Sequence, residues 1–182
     1  MTVATQPFTG TFVSDQVHSS LQFALTHMQV GNFRASFGSF DALAVSDDHG
    51  LRIEGKVRTD SVSITDPPEF REHVVNGADF FDATNHPEIA FRSVDAALAE
   101  DGTFAGTGEL TMRGITRPVA ATGTYRLPVE DPYGSRRTAI ELTATVDRRD
   151  WGMDWQMALP NGGDALGYDV VLTAHIELVE QR

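Results

Sequence analysis

Apolar and polar residues alternate along most of this chain with a period of two. In residues 51–59, Leu51, Ile53 and Val57 share one parity, and charged residues hold the opposite parity up to Arg58. Successive side chains of a β-strand point to opposite faces, so this alternation indicates a strand with one buried and one exposed face. Because the pattern recurs from end to end, it constrains the chain to an all-β fold.

The alternation predicts eight or nine strands in total. Turn signals rich in Asp, Gly and Pro separate them, and such short connections imply antiparallel neighbours. Residues 67–77 have prolines at their start, an acidic first turn and a terminal Asn-Gly, which together predict one short helix. The predicted strands are residues 9–14, 20–25, 33–45, 51–59, 88–94, 104–112, 119–127, 140–146 and 170–178.

This many strands in one domain form a sandwich or a closed barrel, and closure removes the exposed edges that an open sheet has to protect. No linker divides the chain, so we predict a single domain over residues 9–180, preceded by a flexible N-terminus at residues 1–8. An eight-stranded barrel has interior space for one small guest. Glycines on the inward parity mark either tight bends or room for such a guest. They are Gly55, Gly106, Gly108 and Gly123.

Charge and cysteine content exclude several classes of function. Lys and Arg number 14 and Asp and Glu number 26, which gives a net charge of −12. This excess argues against nucleic-acid binding and against electrostatic docking to anionic membranes. The lack of cysteine excludes disulfides, thiolate metal sites and cysteine nucleophiles. Residues 1–10 lack the features of an export signal and no apolar run is long enough to span a bilayer, so we expect a cytoplasmic protein with no membrane insertion.

An ordered set of short motifs, each weak alone, covers residues 8–180. The motifs are DQVHSSLQF (15–23), VGNFRASF (30–37), FREH (70–73), DFFD (79–82), PEIAFRS (87–93), GELTMRGITRPV (108–119), RDWGMDW (149–155) and GYDV (167–170). In order and spacing this set resembles the YceI-like family of bacterial proteins.

The resemblance implies an antiparallel, eight-stranded, lipocalin-like barrel with a helical lid. Several members of the family bind polyisoprenoid chains, such as polyprenyl phosphates or quinones, inside the barrel. The family is commonly dimeric and is similar to carrier or storage proteins rather than to enzymes. We therefore expect a cytoplasmic homodimer that binds a long apolar, isoprenoid-type molecule and needs no cofactor.

The predicted helix departs from the family pattern at one position. The family motif usually reads Arg-Asp, one variable residue, then His-Leu, whereas residues 71–75 here read REHVV. His73 therefore comes one position early, and Val74 stands at its usual place. One position is a rotation of about 100° on an α-helix. Either His73 points in another direction, or a local adjustment of the helix restores its position.

An isoprenoid-binding barrel needs a long apolar bore and one or two polar groups at its mouth. Aromatic and aliphatic residues with inward parity, or close to the helix, are the candidates for the bore. They are Leu21, Phe23, Phe37, Phe81, Phe91, Leu110, Met112, Trp151 and Trp155. Arginine can match phosphate oxygens in pairs, and histidine can exchange hydrogen bonds with a head group. The head-group candidates are His27, Arg34, Arg71, His73, Arg113 and Arg117.

Two enzymatic alternatives stay open at this point. Four histidines with Glu72 offer ligands for zinc or iron, but their spacing matches no compact metal motif, so we predict no metal site. The four are His18, His27, His73 and His86. A cofactor-independent lyase, isomerase or cyclase, with Asp150 or Asp154 as acid or base, needs no motif at all.

Overall fold

The computed structural model describes residues 6–181, which form ten strands and one α-helix. The helix α1 spans Pro68–Asn76, and short 3₁₀ turns lie at Gln16–His18, Thr59–Ser61 and Arg148–Trp151. The strands are β1 (Gly10–Ser14), β2 (Ser20–His27), β3 (Gly31–Phe37), β4 (Phe40–Asp47), β5 (Gly50–Arg58), β6 (Glu88–Leu98), β7 (Thr103–Met112), β8 (Ile115–Glu130), β9 (Arg136–Asp147) and β10 (Asp169–Glu180).

The sheet closes into an antiparallel barrel of eight strands. Its order runs β1-β4-β5-β6-β7-β8-β9-β10, and β10 pairs back onto β1. The remaining hairpin, β2–β3, extends the barrel at one end, because β2 pairs with β10 beyond the stretch that β1 occupies. The fold predicted from the alternation and the family resemblance, an all-β closed barrel with a short helix, is confirmed.

Residues 33–45 form two strands, so the single predicted strand was wrong. The break lies at Gly38 and Ser39, where the main chain bonds to the 59–61 segment and to β5: Gly38 donates to Ser61 and Arg58 donates to Ser39. Across this break the inward residues Phe37 and Phe40 are three positions apart, and this odd spacing reverses the parity. Phe40 and Ala44 are therefore buried, and Leu43 and Val45 face away from the core.

A similar irregularity moves Leu127, which the alternation placed inward. The pairing of β8 with β9 shifts register between Arg126 and Val129, and Leu127 is exposed. A register shift of one residue turns a side chain to the other face of the sheet.

The helix α1 lies beside the 60–64 segment, which covers the outer edge of β3. Within the described residues β3 has β2 as its strand partner, and on its other side the 61–63 segment bonds to it, with Ser63 donating to Ser36 over 2.7 Å. Val74 and Val75 are the buried residues of α1. No helix in residues 6–181 is long and apolar enough to cross a membrane.

The barrel interior is divided into a packed half and a hollow half. Phe12, Tyr125 and Leu178 belong to a cluster that fills the end opposite α1. Phe8 belongs to this cluster as well, and its ring meets the Phe12 ring edge-on with centroids 5.6 Å apart. Phe8 is the last residue of the segment 1–8 that was predicted to be flexible, and it is packed into the core. Residues 1–5 of that segment lie outside the described part. The second cluster, at the α1 end, surrounds the cavity described next.

Candidate functional site

A cavity of about 410 Å³ occupies the half of the barrel covered by α1. Its surface is almost entirely apolar. Met28 and Phe70, the half-exposed apolar residues of its wall, mark the mouth between the β2–β3 hairpin and the helix. Volumes of about 300–1,000 Å³ and apolar walls are typical of small-molecule sites. The barrel therefore holds a ligand-sized space on its own axis.

Eight of the nine predicted bore residues line this cavity. Phe23, Phe37 and Phe81 form an aromatic cluster, with ring centroids 5.6 to 5.9 Å apart. Strand parity explains the position of most others, because inward side chains of a closed barrel converge on one axis. The lining members of the set are Leu21, Phe23, Phe37, Phe81, Phe91, Leu110, Met112 and Trp155.

Trp151 is the exception, and its expected position is corrected. Its side chain is buried within the wall, and its indole Nε1–H donates to the carbonyl of Leu110 over 3.2 Å. It is not part of the cavity lining. A buried indole needs such a partner, so Trp151 anchors the 3₁₀ turn after β9 to β7.

The four inward glycines separate into two groups. A Cβ at Gly108 would lie 2.4 Å from the Phe91 ring, and one at Gly123 would lie 1.8 Å from the carbonyl oxygen of Glu141. Gly106 is crowded in the same way by the backbone of β6. At Gly55, which lines the cavity, the nearest atom would be 3.7 Å away. Three glycines therefore permit close packing, and Gly55 leaves space for a guest.

The four predicted head-group arginines do not line the cavity. Arg71 donates to the carbonyls of Asp60, Val62 and Ile64 over 2.7 to 2.9 Å and ties α1 to the 59–64 segment. Arg34 lies on the outer face of β3 and is exposed. The four arginines are therefore not part of the cavity wall, and a contact of any of them with a ligand head group stays a prediction.

Main-chain carbonyls also occupy the two arginines of the β7–β8 turn. Arg113 donates to Gly152 over 2.8 Å and to Ala78 over 2.6 Å. Arg117 donates to the carbonyl of Asp150 over 3.1 Å. These guanidinium groups hold loops together at the barrel rim.

Both predicted histidines line the cavity. His27 stands at the end of β2 and is exposed. His73 is on α1, where its Nε2 lies 3.1 Å from each carboxylate oxygen of Asp79. Its ring meets Phe80 and Trp155 edge-on, with centroids 5.0 and 6.1 Å away. His73 therefore lies at the cavity despite its one-position shift, and the buried Val74 lines the cavity as well.

Comparison with known proteins now identifies the family. The YceI-like domain model matches residues 12–178. A UPF0312 protein of Staphylococcus aureus strain MSSA476 is 30% identical over 173 residues, which cover 91% of this chain and 95% of the relative. The chain belongs to the YceI-like family.

Solved structures show the same fold. Burkholderia cenocepacia BcnA aligns with a TM-score of 0.72 at 18% identity, covering 90% of this chain and 98% of that one. A polyisoprenoid binding domain from Saccharophagus degradans, implicated in plant cell wall breakdown, aligns with a TM-score of 0.68 at 11% identity. That alignment covers 96% of this chain and 100% of the domain.

In this YceI-like chain, sequence reasoning missed Arg148, a buried cation at the cavity. Its guanidinium donates to the carbonyls of Gly167 and Trp155 over 2.9 Å and also to Met153 and Leu166. Burial lowers the pKa of the Arg148 guanidinium from its ordinary value. A signal was present, because position 148 continues the inward even parity of β9 beyond Val146. The residue fastens the 153–167 segment over the barrel.

The histidines weighed as metal ligands are not brought together. Within residues 6–181, the group of side chains close enough to share an ion is Asp15, His18 and Glu177. Arg137 donates to both carboxylates, over 2.9 and 2.7 Å, so a guanidinium already balances this acidic group. Arg137, followed by His18, holds the pKa of the Asp15 carboxyl well below its usual range.

The carboxylates considered for acid–base catalysis lie off the cavity. Asp150 and Asp154 are exposed, and neither is part of the lining. General acid–base catalysis requires a carboxyl group within hydrogen-bond reach of the substrate. Asp150 and Asp154 are therefore not placed to act as acid or base on a molecule inside this cavity.

Proposed function

We propose that this YceI-like protein binds a long apolar molecule of the isoprenoid type inside the barrel and carries or stores it. One observation carries the proposal: the cavity of about 410 Å³ is almost entirely apolar and reaches the surface beside α1. Burial of apolar area, at about 25 cal/mol per Å², would drive such a chain into this space. Polyprenyl phosphates and quinone-like molecules both carry a chain of this kind.

The position of the polar groups supports binding rather than catalysis. The cavity surface is almost entirely apolar, and the ionisable residues of its lining are spread over several elements: His27 on β2, Asp41 on β4, Glu54 and Lys56 on β5, His73 on α1, and Arg148 after β9. The description of the Saccharophagus degradans domain as polyisoprenoid binding agrees with such a ligand. At 11% identity that likeness concerns the fold, so the argument depends on the wall residues of this chain.

Native mass spectrometry of the freshly purified protein tests the proposal. We expect a bound lipid that organic extraction removes, after which the empty protein binds prenyl alcohols or quinones and releases a fluorescent apolar probe. Ala144→Trp, which fills the cavity wall from β9, should lose probe binding. Thr143→Trp places the same side chain on the exposed face of β9 and should keep it. Protein that is empty on purification and takes up neither ligand class would refute the proposal.

The homodimer and the cytoplasmic location are further proposals taken from the family resemblance. Light scattering on the eluting peak of a sizing column distinguishes one chain from two. Cell fractionation tests the location.

A further inference from the structure

We propose that the mouth of the barrel docks on the surface of a zwitterionic lipid bilayer, and that the apolar ligand passes between the bilayer and the cavity at this place. The inference rests on the proposed function and adds the partner with which the protein exchanges its ligand. It depends on an exposed apolar patch around the mouth, on the charge of the turns that carry this patch and on the size of the patch.

The apolar patch consists of four exposed side chains, Met28, Val30, Phe70 and Met157. Val30 is 91% exposed in the β2–β3 turn, and Met157 is 54% exposed in the segment before β10. The main chain brings these two segments together, because the N–H of Met28 donates to the carbonyl of Ala165 over 2.6 Å and the N–H of Ala165 donates to the carbonyl of Met157 over 2.9 Å. Met157 therefore lies about two strand spacings, or roughly 10 Å, from Met28.

The apolar patch continues the apolar wall of the cavity. Phe70 on α1 meets the Phe33 ring of β3 edge-on, with centroids 5.8 Å apart. Phe70 and Met28 both line the cavity and are both exposed at its mouth. Apolar surface thus runs from the cavity to the outside of the protein. Contiguous exposed apolar surface is typical of sites that contact another molecule or a membrane.

The β2–β3 turn keeps large side chains where its backbone favours small ones. Its central residues, Met28 and Gln29, have φ angles of 52° and 60°. Hairpin turns with positive φ at both positions favour Asn and Gly. The side chain of Gln29 donates to the carbonyl of Gly162 over 3.1 Å and so ties the turn to the 157–165 segment. Met28 is apolar and lies at the mouth, and unfavourable backbone geometry retained at such a residue points to a functional role for its side chain.

The two turns that carry the apolar patch are uncharged. Residues 27–33 and 155–163 contain no Asp, Glu, Lys or Arg, although the chain has a net charge of −12. Turns at the packed end are acidic by contrast, and their carboxylates belong to Asp47, Asp48, Glu100, Asp101 and Asp131. Transfer of an ion from water to an apolar phase is costly. The uncharged turns are therefore the ones that can enter the boundary between lipid head groups and acyl chains.

Charge also determines which kind of bilayer fits. The charged residues next to the apolar patch have both signs and form no cationic cluster; they are Arg34, Glu69, Arg71, Asp154 and Asp164. Anionic lipids attract clusters of Lys and Arg, and they repel a chain with an excess of 12 negative charges. A zwitterionic surface imposes no such repulsion, so the apolar contacts alone can hold the protein there.

The size of the apolar patch favours a lipid surface over a second copy of the chain. A stable protein interface uses about 20–30 residues on each side, whereas the patch has four apolar side chains. Binding to a lipid surface scales with the apolar area that leaves water, and side chains that reach about 5–10 Å into the head-group region are sufficient for it.

Flotation of the delipidated full-length protein with phosphatidylcholine vesicles tests the docking. The wild-type protein should float with the vesicles, and Val30→Ser/Met157→Ser should bind them at least about tenfold more weakly, because burial of one apolar side chain is worth about a factor of ten. Neither residue lines the cavity, so affinity for a fluorescent apolar probe in vesicle-free solution should stay the same. Val17→Ser/Val129→Ser removes two exposed apolar side chains elsewhere and should change neither quantity.

A gain of binding provides a second readout. Tryptophan favours the membrane interface, so Val30→Trp should bind the vesicles more tightly, and brominated phosphatidylcholine should quench the added fluorescence. Val129→Trp, the control, should show neither effect. Replacing part of the phosphatidylcholine with phosphatidylglycerol should weaken binding at low salt, and added salt should restore it.

The possible outcomes separate the docking from the proposed function. Wild-type protein that stays with the buffer, equal flotation of Val30→Ser/Met157→Ser, or tighter binding to the anionic vesicles overturns the inference and leaves ligand binding intact. Light scattering that shows a dimer in the wild type and a monomer in this variant, without flotation of either, assigns the patch to a second copy and also overturns it. Failure of the wild-type protein to bind the apolar probe overturns the proposed function, and the inference with it.

Discussion

Replacing Gly55 with leucine should stabilise the ligand-free protein and weaken ligand binding at the same time. Gly55 lies on the inward parity of β5, lines the cavity, and has no positive φ that would oppose a side chain. A Cβ there would meet nothing closer than the Asp41 carbonyl at 3.7 Å. The new side chain would therefore enter the cavity without displacing the wall.

The size of both effects follows from this geometry. Burying a leucine side chain contributes about 1.5–3 kcal/mol. Removing a glycine from a strand contributes about 0.5–1 kcal/mol, and ordering the leucine costs a similar amount. The free energy of unfolding should rise by about 2 kcal/mol, which for a chain of this size raises Tm by about 4–8 °C. The ligand loses the same apolar wall, so its Kd should rise about tenfold or more, a change of about 1.4 kcal/mol.

Thermal unfolding of delipidated protein and titration with an apolar probe measure the two effects. Ala120→Leu is the matched control, because it adds a leucine to the exposed face of β8 and should change neither quantity appreciably. A lower Tm for Gly55→Leu would show that the cavity has no room at this level. An unchanged Kd would show that the ligand does not reach Gly55. Either result refutes the reasoning.

Three further predictions concern the charged residues. Arg148→Met should lower the free energy of unfolding by about 3 kcal/mol in urea, because several buried carbonyls lose a charged donor; a loss below about 1 kcal/mol would contradict this. Arg137 holds the pKa values of Asp15 and Asp131 below their ordinary range, so it stabilises the fold above pH 4 and this contribution is lost as the pH falls. Arg137→Met should therefore flatten the decline in stability between about pH 5 and 2, and parallel curves for the two proteins would argue against the network. Arg117→Ala should leave ligand affinity unchanged, since its guanidinium bonds to the Asp150 carbonyl; a clear loss of affinity would place it at the ligand.

The sequence was sufficient to predict which apolar residues of the regular strands face the barrel interior, because the strand period decides this. Phe91, Leu110 and Met112 line the cavity, as their inward parity in β6 and β7 requires. The prediction failed where the chain leaves regular pairing. Leu43 and Leu127 changed faces because the break at Gly38 and Ser39 and the register shift beside Pro128 each reversed the parity. Glycine and proline mark both places as possible irregularities, but they do not determine which parity follows.

The polar part of the site was harder to predict because the partners of arginine are distant in sequence. Arg113 bonds to Ala78 and Gly152, which are 35 and 39 residues away, and these partners are main-chain carbonyls that every residue type provides. Sequence therefore cannot distinguish an arginine that binds phosphate from one that joins two loops. Arg148 shows the reverse case, because the parity of β9 placed it inward while its charge argued for the surface.

The hollow half of the barrel has a cause in small residues that alternation by itself does not reveal. Ala42, Gly55, Ala121, Ala144 and Ala174 take inward positions on five different strands, and all five line the cavity. At the packed end, four of these strands carry larger inward residues, Leu51, Tyr125, Ile140 and Leu178, and Phe8 contacts Phe12 and Tyr125 there. An apolar alternation describes both halves equally well, and only side-chain volume separates a filled barrel from a hollow one. The depth to which a ligand enters the barrel should therefore depend on these five small residues. A larger side chain at any of the five positions should shorten the longest isoprenoid chain that binds.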